Sequence, residues 1–313
     1  MKKFILKTSV FIILLLVSSL TLFTYKSKYQ ISIINQQSID SSNIVIFGDS
    51  RADRQINPSI LHFYTNLNCI NLAESSLDLY SLSKRLINLN FRNKTIIISA
   101  SFWQINDGSI SDGYFRPEAF NDLTIIEKVR LYRYNFEELL RIQSNIITHS
   151  SIMTIGYNNR FVNNGYGNIE CKEFVVQDSM FSNHAWYRKI NTDGIKRKLL
   201  YKALINLNKI SCNKIIIYNA PVSSIFKRMA QKNGVWLKEE EYNSIILSFI
   251  KKSGLKNLDF YNLMDLDGFN DNDYYDAQHL CETGSNKFSK KIVTVFDLLL
   301  SSSIKYQTPQ GSN

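Results

Sequence analysis

The chain has 313 residues, 44% of them hydrophobic and 20% charged, with a net charge of +10. That length buries a large core, and that composition excludes a disordered or collagen-like chain. Lys2, Lys3, Lys7, Lys26 and Lys28 flank the first apolar stretch and carry half of the excess charge; the rest is dispersed, without the clustered basic face of a nucleic-acid binder, so no nucleic-acid partner is expected.

Residues 8–25 carry no charge, a length at the short end of the roughly 17–25 residues a membrane-spanning helix needs. The lysines ahead of it place the N-terminus in the cytoplasm and the bulk of the chain outside. A cleaved signal peptide is the competing reading, with Val17-Ser18-Ser19 as a tolerable cleavage site. The apolar run continues past it through Leu20, Leu22 and Phe23, which favours an uncleaved anchor over residues 1–25. Polar residues 26–42 read as a tether.

From residue 43 to about 305, short apolar runs alternate with helix-like segments. Strands are expected at 44–47, 69–72, 95–100, 214–219 and 258–261, rich in isoleucine and valine as buried parallel strands are. Helices are expected at 58–64, 77–89, 123–147, 194–210, 238–252 and 285–300. Pro58 suits a helix start, and Glu239, Glu240 and Glu241 suit the positive end of another. The alternation predicts an α/β layered domain with a mostly parallel five-stranded sheet, whose site lies beyond the carboxyl ends of its strands. Residues 105–195 break the pattern. Tyr114, Phe115, Tyr132, Tyr134, Tyr157, Tyr166 and Trp186 fall there, and the stretch reads as an insertion or cap whose aromatic rings either pack internally or line a site.

Two strings carry the chemistry. Ile44-Val45-Ile46-Phe47-Gly48-Asp49-Ser50-Arg51 puts a serine just beyond an apolar β-branched run, and Asp276-Ala277-Gln278-His279-Leu280 puts a carboxylate three residues before a histidine. A serine hydroxyl becomes nucleophilic only beside a base, and that base needs an orienting carboxylate. Ser50, His279 and Asp276 are the candidates for those three roles. Asp265, Asp267, Asp271 and Asp273 are rival carboxylates, and His62, His149 and His184 lack the Asp-x-x spacing. Arg51 and Arg54 follow the serine, able to meet an acidic substrate group or to pair internally. The four cysteines, Cys69, Cys171, Cys212 and Cys281, fit no metal motif; Cys69 and Cys212 adjoin strand-like runs, whereas Cys171 and Cys281 lie in polar sequence and are the better pair if a disulfide forms. No cofactor and no metal are expected.

The pairing of Gly48-Asp49-Ser50 with Asp276-x-x-His279 resembles the SGNH (GDSL-like) hydrolase and acyltransferase superfamily, across roughly residues 43–300. The stretch Gly48-Asp49-Ser50-Arg51-Ala52 with Asn57-Pro58, and His279-Leu280 with Gly284, look most like its membrane-anchored, extracytoplasmic branch. The resemblance implies a three-layer, flavodoxin-like fold and a triad of Ser50, Asp276 and His279. It implies oxyanion donors from the Ser50 N–H, from the block where Ser76 replaces the usual glycine, and from the block after the third strand, where Gln104 or Asn106 is the candidate. Asn106-Asp107 matches the family's Asn-Asp but sits late. Arg51 and Trp103 are candidates for touching substrate. The implied activity is transfer of an acyl group, acetyl first among them, to a cell-envelope polysaccharide on the outer side of a bacterial cytoplasmic membrane, with a multispanning membrane protein as acyl donor. An esterase with the same triad and a silent glycan-binding assembly protein are the alternatives.

Overall fold

The structure, a computed structural model, describes residues 7–11, 14, 36–74, 77–107, 119, 122–128, 169–174, 187 and 191–298. Its strands are β1 (Ile44–Gly48), β2 (Cys69–Asn71), β3 (Thr95–Ser99), β4 (Lys214–Asn219) and β5 (Leu258–Asn262). Among the described residues the helices are α1 (Gln36–Asp40), α2 (Ser50–Gln55), α3 (Pro58–Thr65), α4 (Leu79–Leu86), α5 (Ile195–Asn208), α6 (Ser224–Lys232), α7 (Trp236–Lys252) and α8 (Glu282–Val295).

The strands form one sheet in the order β2-β1-β3-β4-β5, and each adjacent pair is parallel. This is the flavodoxin-like order. β1 and β3 are buried along their whole length, which is why their sequences read as unbroken apolar runs rather than alternating ones. Side chains still alternate between faces. Val45, Phe47, Ile96, Ile98, Ile215 and Ile217 pack with α4, α5 and α7. Ile44, Ile46, Ile97, Ile216 and Tyr218 pack with α2, α3 and α8. The sheet is thus the middle of three layers.

The expected strands appear within a residue or two of their bounds. α1, α2 and α6 were not expected; α1 falls within the stretch read as a tether, and its Ile39 is buried in the core. α2 is only six residues long, Ser-Arg-Ala-Asp-Arg-Gln, and its three charged side chains hide any amphipathic period. α6 shows only Phe226 and Ala230 to the core. Most of the expected helix at 123–147, the seven aromatics of the insertion, and the anchor at 8–25 apart from residues 8–11 and 14 lie outside the described residues. Among the described residues no helix is long and apolar enough to cross a membrane.

β1 and β3 meet the site at a tight point. Gly48 has φ +132°, and a Cβ there would lie 2.7 Å from the Ser99 carbonyl oxygen and 2.8 Å from its nitrogen. Both the backbone angle and the space require glycine. We expect Gly48→Ala to destabilise the fold by about 2–4 kcal/mol through combined strain and overpacking, read as a lower urea midpoint with unchanged slope.

Candidate active site

Ser50 is the first residue of α2. Asp49 is the N-cap, and its carboxylate accepts the Arg51 N–H at 3.0 Å. The Ser50 N–H stands in the first turn, where no intrahelical acceptor exists. The Ser50 Oγ lies 2.8 Å from Nε2 of His279, across a sequence separation of 229 residues. On the other side of the ring, Nδ1 lies 2.8 Å from Oδ2 and 2.9 Å from Oδ1 of Asp276. A carboxylate facing Nδ1 holds the proton on that nitrogen and leaves Nε2 as acceptor for the serine hydroxyl. Asp276 Oδ1 also accepts the N–H groups of Gln278 and His279, each at 2.8 Å. Burial pushes the Asp276 carboxyl up, but the His279 imidazole and those two N–H groups outweigh it and hold it below the ordinary aspartate value.

The loop is fastened from several sides. Tyr274 and Leu280 form an antiparallel bridge, and the Tyr275 N–H donates to the His279 carbonyl at 3.0 Å. Ser223, just after β4, donates its N–H and hydroxyl to the Ala277 carbonyl at 3.2 and 2.9 Å. Gln55 donates to the Gln278 carbonyl at 2.9 Å. Below the loop, a Cβ on Gly284 would lie 2.0 Å from the Asp273 carbonyl oxygen, so glycine lets α8 close against the turn before the histidine. Cys171 and Cys281 form a disulfide, which ties segment 169–174 to the chain two residues past His279.

Asp49 is 2% exposed. Besides the Arg51 N–H it accepts the hydroxyls of Ser99 at 3.1 Å and Ser101 at 3.0 Å, and the Trp103 indole N–H at 2.9 Å. A buried carboxylate with four donors is well compensated, and it locks the turn after β1 to the turn after β3. Sequence reasoning gave Asp49 no role of its own, although an Asx residue between a strand and a helix is a cap signal.

Several of the other candidates have partners inside the fold. Trp103 is buried with its indole N–H on Asp49, while Lys196 lies 4.6 Å from its ring centroid, so its ring is not a surface contact for substrate. Arg51 is 3% exposed; it donates to Asn219 at 3.2 Å and to the side-chain oxygen of Gln278, which turns it inward. Gln104 faces the loop ahead of α4, accepting the Leu79 N–H at 2.8 Å. Asn106 accepts the Asn191 N–H at 3.0 Å. Asp107 caps α5 by accepting the N–H groups of Ile195 at 3.0 Å and Lys196 at 2.8 Å. The Gln104 amide nitrogen donates to the Leu77 carbonyl at 3.4 Å, and Ser76 lies outside the described residues. Arg54 stacks on the Tyr275 ring, 5.7 Å from its centroid. Of the rival carboxylates, Asp265 pairs with Lys227 at 2.7 Å, Asp271 accepts from Ser224 at 2.9 Å and Asp273 pairs with Lys287 at 2.6 Å. His62 bonds the Leu67 carbonyl at 2.9 Å, and His149 and His184 lie outside the described residues. Among the described residues no group of three or more His, Cys, Asp or Glu side chains is arranged to hold a metal ion.

No family model matches the chain, and no curated protein matches it. A solved structure of "a putative platelet activating factor" from Streptococcus pneumonia aligns over 92% of this chain and 98% of its own, at 13% identity and a TM-score of 0.42. That likeness is too slight to bear on the chemistry of this chain.

Two outcomes test the local physics. Asp49→Ala removes the acceptor of four donors and should cost about 3 kcal/mol or more in urea unfolding. The depressed Asp276 carboxyl stabilises the fold at pH values above the ordinary aspartate range, and that contribution is lost as pH falls through its folded value. The stability gap between the wild type and Asp276→Asn should therefore be flat near neutrality and narrow in acid, as read by denaturant titrations at stepped pH.

Proposed function

We propose that this chain is a serine-dependent acyltransferase of the SGNH (GDSL-like) kind, anchored in the membrane by its N-terminal segment and acting outside it on a cell-envelope polysaccharide. The observation that carries the reading is the continuous relay from Ser50 Oγ through His279 to Asp276, with both links at 2.8 Å. His279 takes the hydroxyl proton as Oγ attacks the donor's carbonyl, and Asp276 stabilises the imidazolium that forms. The C–O bond to the donor breaks, its oxygen takes the proton from His279, and an acyl-Ser50 ester remains. A sugar hydroxyl then attacks that ester while His279 takes its proton, and the proton returns to Ser50 as it leaves. The Ser50 N–H supplies one donor for the oxyanion of each step.

The compartment and the acceptor rest on other features. Lysine-flanked residues 8–25 support an export anchor. The Cys171–Cys281 disulfide supports an oxidising, extracytoplasmic setting. A donor on that side requires a membrane protein that delivers the acyl group across the bilayer. The Gly48-Asp49-Ser50-Arg51 string with Asn57-Pro58 supports the polysaccharide-modifying branch, with acetyl as the group.

The full chain in detergent, given an aryl acetate with and without an envelope oligosaccharide, tests this. We expect aryl release with acetate appearing on the sugar, and a loss of at least about a thousandfold in kcat/KM for Ser50→Ala and His279→Ala. Aryl release with free acetate alone, in the presence of acceptor, makes the chain an esterase instead. Turnover indifferent to Ser50→Ala removes the enzymatic reading altogether.

A further inference from the structure

Residue 278 lies between the two members of the relay contributed by the C-terminal loop, and α2 grips it twice. Arg51 donates its guanidinium to the Gln278 side-chain oxygen, and Gln55, four residues on and on the same helix face, donates to the Gln278 carbonyl at 2.9 Å. The amide orientation is fixed, because a guanidinium only donates and must meet the oxygen. The amide nitrogen then points the other way and donates to the Tyr187 hydroxyl at 2.6 Å. Tyr187 belongs to the insertion between β3 and β4, and it packs with Phe226, Trp103 and Ala277. Gln278 is 7% exposed, and Arg51 3%.

Two neighbouring pairs thus bridge the same gap. Ser50 meets His279, and Arg51, the next residue, meets Gln278, the one before. The guanidinium is itself held by Asn219 at the end of β4, whose amide nitrogen lies 3.2 Å from Asn243 and 3.5 Å from the buried Glu239. A charged group fixed on the sheet is a stiff reference point, and a hydrogen bond to it is stronger than one between neutral groups. We infer that Gln278 is a positioning residue for the relay proposed above: its amide, clamped between Arg51 and Tyr187, sets the distance of His279 from Ser50 and transmits the seating of Tyr187 to the imidazole.

The clamp acts on geometry at the reacting atoms, so its loss should lower kcat and leave KM nearly unchanged. A misplacement of about 1 Å costs on the order of 100-fold in rate. The test uses the full chain and a fluorophosphonate probe, whose rate of attachment at Ser50 is followed by mass, alongside aryl acetate kinetics. Gln278→Leu, which keeps the bulk and removes both polar contacts, should slow labelling and kcat by on the order of 100-fold with KM within about twofold. Gln278→Glu, which can still accept from Arg51 and from the Tyr187 hydroxyl, should recover most of that loss. Tyr187→Phe should slow labelling by a smaller factor and add nothing in the Gln278→Leu background, the non-additivity of a shared contact.

Labelling of Gln278→Leu at the wild-type rate, or Gln278→Glu as slow as Gln278→Leu, overturns the inference. If Gln278→Leu does not fold, Tyr187→Phe decides alone, and an unchanged rate overturns it. A wild type that takes no label at Ser50 defeats the enzymatic reading rather than the clamp. The clamp is then read from the His279 Nδ1–H proton resonance, which Gln278→Leu should move and which stays put if the clamp does not exist.

Discussion

The turn Gly48-Asp49-Ser50 is the constraint on which the rest of the site depends. β1 ends against the backbone of Ser99 so closely that no side chain fits at residue 48. The chain leaves that point through a buried carboxylate, and the carboxylate starts α2. One residue later comes the hydroxyl that faces His279. Because Asp49 also gathers Ser99, Ser101 and Trp103, the serine's position is set by two adjacent strands at the switch point of the sheet rather than by a loose loop. A site held on the ends of buried strands keeps its geometry better than one held on loops alone.

Burying charge there has a physical cost, and the arrangement shows how it is offset. Asp49 meets four donors. Arg51 meets Asn219, Gln278 and the field of Glu239, whose own carboxyl is pushed up by burial against the opposing pull of Arg51 and the Asn219 amide. Well-packed apolar residues would make a layer at least as stable. Directional polar groups do what apolar ones cannot: they fix the angle between α2 and the loop that carries His279. The loop's fastenings to Ser223, Gln55 and the Cys171–Cys281 disulfide serve the same end.

The layered fold was legible because five short apolar runs, β-branched in β1, β3 and β4, alternate with helical segments, and burial of the central strands on both faces writes that pattern into composition. Ser50, His279 and Asp276 were legible because a strand end and an Asp-x-x-His spacing are local signals, and the structure brings them together. The Cys171–Cys281 pair was legible from the polarity around each cysteine. What stayed hidden was non-local. Asp107 caps a helix that starts 88 residues later, at Ile195, behind an N-cap glycine with no side chain to offer, so Asn106-Asp107 looked like a site motif. Trp103 and Gln104 turn inward because residues 102–104 form one 3-10 turn, and a direction set by a single turn leaves no periodicity to read. Gln278 looked like a spacer because both of its side-chain partners, Arg51 and Tyr187, are remote in sequence.

The central claim is that the residue 50 hydroxyl becomes covalently acylated when the chain meets an ester. The most direct measurement is intact-mass and peptide mapping of the full chain, quenched in acid during turnover of an aryl acetate. The account predicts an added acetyl group on the peptide containing Ser50, absent when His279 is replaced by alanine. Ester consumed with the acetyl group on another residue, or with no adduct under conditions that trap one, would contradict it.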